Sequence, residues 1–326
     1  MRKIIFGAGV VGKALYGECQ ARGIKIDGFC DNDNSKGVLP VEEAKKYKAE
    51  FYIATGDVKF ANEQLKGKTL NEETADILAE IKLETYDKYT QFCIENCIDA
   101  NRNWDNPYFL RSLDLMITEK CSLKCRDCSN LMPYYKNPKD CDISQVILDT
   151  KTILDTWKVG EFRIIGGEPF MNKEWELLLA YLIKDPKVKR IVIYTNGTIV
   201  PSTHLLINPK VFVQVTDYGK LSKKLNIIKD LFDTDKVAYQ IVKPRWTDCG
   251  KAEKKGRTQK ELDQMFKDCC SRNVTLSNGR LFPCAFSANL ARLGIYDGED
   301  FCDYCSGRPL NAPEIEPAIQ ISAEKK

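Results

Sequence analysis

Histidine is nearly absent. The 326-residue chain has one, His204, so a His–carboxylate catalytic pair or a His-rich metal site would have to be built around that single residue. No stretch approaches the roughly 18 apolar residues of a membrane helix. The start, Met1-Arg2-Lys3 before an apolar run, superficially resembles a signal peptide. Lys13 and patterned glycines break the run, and no cleavage site follows. An excess of one charge is missing too: 49 Lys and Arg against 46 Asp and Glu leave a net +3, which argues against a general nucleic-acid coat protein. There is no internal repeat and no low-complexity tract. These absences predict a cytoplasmic globular protein with neither nucleic acid nor membrane as a partner. At 43% hydrophobic and 29% charged it is neither disordered nor collagen-like, and its length exceeds one ordinary core.

Cysteine is abundant, with fourteen in the chain. A cytoplasmic setting disfavours disulfides, so close Cys spacing points to metal or redox chemistry. Isolated cysteines read as small buried fillers.

The pattern along the chain is α/β throughout. Residues 1–6 read as a strand, followed by Gly7-Ala8-Gly9-Val10-Val11-Gly12 and a helical pattern to about Arg22. Strands at Ile24–Cys30 and Phe51–Ala54, with a helix at Glu42–Lys48 between them, continue a βαβ fold. Residues 58–100 read as mostly helical and 101–107 as a linker. A second series has strands at Leu113–Ile117, Phe162–Ile165, Val188–Tyr194, Val211–Val215 and Val237–Val242. Helices at Ile143–Trp157, Glu174–Ile183 and Lys220–Phe232 alternate with them. That alternation implies a parallel sheet or partial barrel. Near the end, Asn273–Leu276 and Arg280–Phe282 flank Ser277-Asn278-Gly279 as a hairpin.

Cys121-Ser-Leu-Lys-Cys125-Arg-Asp-Cys128 directly follows the first strand of the second series. Three thiolates this close can converge on one metal centre, and three rather than four leave one iron of a [4Fe-4S] cube open. Zinc would want a fourth thiolate or a His nearby. Two further motifs end successive strands: Gly166-Gly167-Glu168-Pro169, and Tyr194-Thr195-Asn196-Gly197. Paired glycines let backbone approach a ligand closely, and a carboxylate accepts from an ammonium. Active sites of such sheets sit at this end.

Together these motifs resemble the radical S-adenosylmethionine (SAM) superfamily, over about Arg111 to Cys305. The resemblance implies a partial (β/α)6 TIM-type barrel whose open iron chelates the methionine part of SAM. It implies that the reduced cluster breaks the sulfonium C–S bond, and that a 5′-deoxyadenosyl radical removes a substrate hydrogen. It assigns the cluster to Cys121, Cys125 and Cys128, and SAM to Gly166, Gly167, Glu168, Pro169, Thr195, Asn196 and Gly197. One position departs: the family often has an aromatic residue before the third cysteine, and here it is Asp127.

A second cysteine group, Cys269, Cys270, Cys284, Cys302 and Cys305, has enough thiolates for a Cys₄ site, either zinc or iron–sulfur. It resembles the twitch domain, the short form of the SPASM extension, which implies a second [4Fe-4S] cluster on Cys270, Cys284, Cys302 and Cys305, with Cys270 favoured over Cys269. The expected domains are 1–100, 101–248 and 249–326. Twitch enzymes on sugars and aminocyclitols include epimerases and alcohol dehydrogenases. Cys249, just beyond the last barrel strand, is the candidate hydrogen-atom donor of an epimerase, with small buried filler as its plain alternative. Asp217 and Tyr218, ending the fourth strand, are candidate hydroxyl-binding residues by position. From Gly219 to Lys260 twelve Lys or Arg face five Asp or Glu, a local +7, and the rest of the chain carries −4. Such a segment suits a phosphate or pyrophosphate, or is simply a solvated face.

Gly7, Gly9 and Gly12, with Asp31 nineteen residues beyond, match the dinucleotide fingerprint. The domain is short of a full dinucleotide fold. It resembles the Rossmann-like modules fused to bacterial surface-polysaccharide enzymes, with nucleotide-sugar recognition or a structural, dimerising role as readings. The expectation is therefore a SAM-dependent enzyme with two [4Fe-4S] clusters, fed electrons by flavodoxin or ferredoxin. Its substrate is a sugar or polyol, phosphorylated or nucleotide-activated, and epimerisation is favoured over dehydrogenation. A homodimer, a radical peptide maturase and a non-enzymatic zinc scaffold are the other readings.

Overall fold

The computed structural model describes residues 1–33, 36–65, 68–244, 252, 256–268, 273–295 and 302–303. The chain divides into two compact units, Met1–Arg111 and Ser112–Lys326.

The first unit contains β1 (Arg2–Phe6), α1 (Val10–Ala21), β2 (Gly28–Asp31), β3 (Leu39–Pro40), α2 (Val41–Ala44), β4 (Ala49–Ile53), α3 (Val58–Leu65), α4 (Asn71–Ala79) and α5 (Lys88–Arg102). The strands form a parallel sheet in the order β3-β2-β1-β4. Its two faces are both apolar. Ile4, Phe6, Phe51 and Ile53 pack on one side with Val58 and Leu65; Ile5 and Tyr52 pack on the other with Leu15, Leu78 and Ile94. Strands covered twice read as continuous hydrophobic runs, which is why they were legible. Three boundaries differ from expectation. The register Ile4↔Gly28 carries Ile24 past the start of β1, so β2 is shorter than 24–30. Only one helical turn, α2, fits before β4 begins at Ala49, in place of a helix over 42–48. Asn101 and Arg102, expected in a linker, complete α5.

The second unit contains β5 (Leu113–Met116), α6 (Ile143–Thr156), β6 (Phe162–Ile165), α7 (Trp175–Lys184), β7 (Ile191–Thr195), β8 (Val211–Thr216), α8 (Leu225–Asp235), β9 (Tyr239–Val242), α9 (Gln259–Asp268), β10 (Val274–Ser277), β11 (Arg280–Phe282), α10 (Ala285–Arg292) and β12 (Cys302–Asp303). One sheet holds these eight strands, in the order β9-β8-β7-β6-β5-β10-β11-β12. Six neighbouring strands, β9 through β10, are parallel, and the ladder among the described residues is open, not closed. The hairpin is no free-standing ribbon: β10 pairs in parallel with β5. Its turn has Asn278 at φ 50° and Gly279 at φ 69°, the left-handed pair of a two-residue hairpin loop.

One face of the sheet is wholly apolar. Leu113, Leu115, Phe162, Ile164, Ile191, Ile193, Val211, Val213 and Val215 are each no more than 1% exposed. Their alternate neighbours include Asp114, Arg163, Tyr194 and Gln214 beside Met116, Ile165, Val192 and Phe212, so the other face is mixed. Helix α8 starts at Leu225, later than the expected Lys220. Ser222 accepts from the Tyr218 N–H at 2.9 Å and donates to the Asn196 carbonyl at 2.7 Å, which pins 219–222 as a tight turn instead. No helix among the described residues is long and apolar enough to cross a membrane.

Candidate metal centre

Cys121, Cys125 and Cys128 follow β5 on a loop at the carboxyl end of the parallel strands. All three are partly exposed. Burial pushes the Cys121 thiol up to about 11 and raises Cys125 as well. The Cys121 sulfur accepts from the Leu123 N–H at 3.4 Å and from Asn196 Nδ2 at 3.6 Å. Such bonds to sulfur tune an iron–sulfur centre. Among the described residues no three His, Cys, Asp or Glu side chains are placed to hold a single ion. A four-iron cube spreads its thiolates more widely than one ion does.

The glycine pair lies along the entrance to this loop. The Gly167 N–H donates to the Thr118 carbonyl at 3.1 Å and the Glu168 N–H to the Lys120 carbonyl at 2.8 Å. A Cβ on Gly167 would sit 2.2 Å from the Lys120 oxygen and 2.7 Å from Cys121 Cβ. One on Gly166 would sit 2.7 Å from the Thr118 oxygen. Only glycine permits this approach.

Glu168 is fully buried. Its carboxyl accepts from the Thr195 hydroxyl at 2.8 and 3.0 Å, the Asn196 N–H at 2.8 Å and the Phe170 N–H at 3.4 Å. Burial pushes it up to about 7, although these donors pull it down. Pro169 opens a single 3₁₀ turn. Asn196 donates to Ser122 Oγ at 3.1 Å, and Gly197 turns the chain at φ 71°. The structure thus brings the three sequence motifs together at one end of the sheet. The cradle fits a ligand with a cationic group beside a thiolate-bound cluster: a buried carboxyl, bare glycine backbone and three thiols converge.

Tyr218 stands at the same mouth. Burial raises its phenol to about 12, reinforced by the negative field of Cys125, Cys128, Cys121 and Glu168. Asp217 pairs with Lys243 and accepts from the Gly219 N–H at 2.7 Å; these hold its carboxyl below the usual range. Asp127 pairs with Arg126 at 3.0 Å. Three supporting residues escaped the sequence reading. Asn130 donates to the Gly166 carbonyl at 2.7 Å, Asn172 to the Ile117 carbonyl at 2.8 Å, and Ser222 braces the Asn196 turn. Their only signal was a polar residue a few positions from a motif.

Of the second cysteine group, Cys284 caps α10, its sulfur accepting from the Ser287 N–H at 3.5 Å. Cys302 lies in β12, opposite Leu281 of β11, three residues before Cys284. Cys249, Cys269, Cys270 and Cys305 lie outside the described residues. In the first unit, a Cβ on Gly7 would meet the Ala54 oxygen at 2.7 Å and one on Gly12 the Gly7 oxygen at 1.9 Å, while Gly9 faces open space. Asp31 accepts from the Ala8 N–H at 2.7 Å, the Asp33 N–H at 2.9 Å and Lys36 at 2.8 Å. Both of its oxygens are therefore engaged by their own loops. Cys19, Cys30 and Cys97 are fully buried, and burial raises their thiols to about 11, 12 and 12; they fill core.

Residues 112–224, which include the three-cysteine segment, match the family model of a 4Fe-4S single cluster domain. Curated relatives include a probable GTP 3′,8-cyclase of Methanocaldococcus jannaschii, 26% identical over 147 residues, which are 40% of this chain and 49% of that one. The GTP 3′,8-cyclase of Pasteurella multocida is 31% identical over 94 residues, 28% of this chain and 26% of that one. The chain spans about half or less of the length of these relatives. Among solved structures, anSMEcpe with bound AdoMet aligns at a TM-score of 0.44 with 15% identity, covering 66% of this chain and 84% of that one. SuiB of Streptococcus suis bound to the precursor peptide SuiA aligns at 0.36 with 14% identity, covering 55% and 42%.

Proposed function

We propose that this chain is a radical SAM enzyme that takes a hydrogen atom from a carbinol carbon of a phosphate-bearing sugar or nucleotide-activated polyol. The observation that carries the SAM-dependent part is Glu168. It is a fully buried carboxyl, oriented by Thr195 and Asn196, one residue from the glycine that packs on Cys121. A buried carboxyl poised near neutrality ionises when an ammonium docks on it, with release of a proton. Cys121, Cys125 and Cys128 would hold the cluster, and Gly166 and Gly167 would give the ligand's methionine end access to backbone. When bound, cluster and SAM together supply the 5′-deoxyadenosyl radical.

The substrate class rests on the +7 segment and on the GTP that the named relatives act on, itself a phosphate-bearing sugar. Tyr218, which feels the field of the three cysteines, would contact a substrate hydroxyl. Cys249 would return a hydrogen atom to the substrate carbon from the opposite face, giving an epimer and a thiyl that a low-potential donor such as flavodoxin or ferredoxin re-reduces with a proton. An alcohol dehydrogenase that passes the second electron to a cluster on Cys270, Cys284, Cys302 and Cys305 is the second reading. The register that pairs Cys302 with Leu281, three residues before Cys284, supports such a centre.

The test is anaerobic reconstitution followed by iron and sulfide analysis and detection of 5′-deoxyadenosine. Zinc without iron sinks the reading. In deuterated water the epimerase places one deuterium on the product carbon. Cys249→Ala then loses that turnover while still cleaving SAM, whereas a ketone without deuterium identifies the dehydrogenase.

A further inference from the structure

Arg292 ends α10, the helix that Cys284 begins. Its side chain is 9% exposed and that of its partner Glu119 is 12%. Arg292 Nε donates to Glu119 Oε1 at 3.1 Å and Nη2 to the same oxygen at 2.5 Å. Nη1 donates to Asn278 Oδ1 at 2.6 Å and Ser277 Oγ at 3.2 Å. One guanidinium therefore ties the hairpin turn, the end of α10 and the residue two before Cys121. Glu119 is itself fixed: its other oxygen accepts from the Lys139 N–H at 2.9 Å, and its own N–H donates to the Lys139 carbonyl at 2.9 Å.

A second tie reaches the far side of the loop. Asn289, fully buried on α10, accepts from the Tyr135 hydroxyl at 2.7 Å, and Tyr135 lies seven residues beyond Cys128. Helix α10 thus grips the cysteine loop on both flanks. An exposed ion pair would contribute little, but a buried one cannot lose a partner without stranding a charge.

We propose that Arg292 is a positioning residue: from α10 it holds the 121–128 loop in ligating register and couples the Cys284 group to it. This rests on the cluster reading above. The full-length chain is compared as wild type, Arg292→Gln and Arg292→Lys. Amide exchange is followed in the metal-free protein, and iron content and the electron paramagnetic resonance spectrum, with and without SAM, in the reconstituted protein. Arg292→Gln is expected to speed exchange across 118–141 about tenfold, as loss of a buried partner does. Exchange in β7 and β8 stays unchanged, and the SAM-dependent change in the spectrum is lost. Arg292→Lys keeps the charge and restores part of both. Wild-type exchange and an unaltered spectrum in Arg292→Gln overturn the proposal. If that variant does not fold, Glu119→Gln decides, since it removes the charge that Arg292 holds: faster exchange in the same segment supports the grip, and unchanged exchange overturns it. Wild-type protein that takes up no more iron than Cys121→Ala overturns the cluster reading instead, while exchange in the metal-free chain still decides whether Arg292 grips the loop.

Discussion

Gly167 has no room for even a methyl group, because the neighbouring atoms are the Lys120 carbonyl and the Cys121 Cβ, which cannot swing away. Gly167→Ala must displace Lys120 or Cys121. It should cost about 1–3 kcal/mol in urea unfolding and lower iron content on reconstitution. Glu168 tests binding more cleanly. Glu168→Gln keeps the size and one acceptor but removes the charge an ammonium needs. A hydrogen bond to a charged group contributes about 1.5–3 kcal/mol, so SAM should bind roughly ten- to a hundredfold more weakly while iron content stays at the wild-type level. Equilibrium binding under anaerobic conditions reads this directly. Equal affinity in the variant would remove Glu168 from the SAM site.

Asp31 joins two elements, the end of β2 and the glycine loop that leads into α1. Burial alone would raise its carboxyl, but Lys36 and the N–H groups of Ala8 and Asp33 outweigh it and hold the group below the ordinary range. The folded value is the lower one. The stabilisation is therefore complete above about pH 4, where the unfolded group has ionised, and is lost as pH falls through the folded value. Asp31→Asn should unfold at a lower temperature than wild type near pH 6, and the gap should close as the pH drops below 4. Strands such as Phe162–Ile165 and the Asn278-Gly279 turn were legible because burial and left-handed φ each demand particular residue types. Gly167 and Gly197 were legible because close backbone approach and a left-handed φ demand glycine, and the three cysteines by their spacing on one loop. The start of α8 was not, because it depends on Ser222 reaching Asn196, a contact between positions 26 apart. The grip of α10 on the loop was equally hidden, since Arg292 and Glu119 are 173 residues apart.

At the scale of the whole chain, each unit has its own sheet and its own buried face. Every residue assigned to the cluster loop and the SAM cradle lies in Ser112–Lys326, and the iron–sulfur match, 112–224, lies wholly within that unit. In the first unit Gly7 and Gly12 lie in close backbone contact, and Asp31 closes its own loop. A unit with its own core can fold alone. Residues 112–326 alone should therefore take up iron and cleave SAM to 5′-deoxyadenosine within a factor of about two of the full chain. If the substrate's anionic group is recognised by the basic segment from Gly219 to Lys260, its turnover should survive the truncation as well and weaken with added salt, because exposed charges are screened. A truncated chain that binds iron and cleaves SAM but no longer turns substrate over would instead assign substrate recognition to the first unit, and with it an open role for the glycine loop around Gly9.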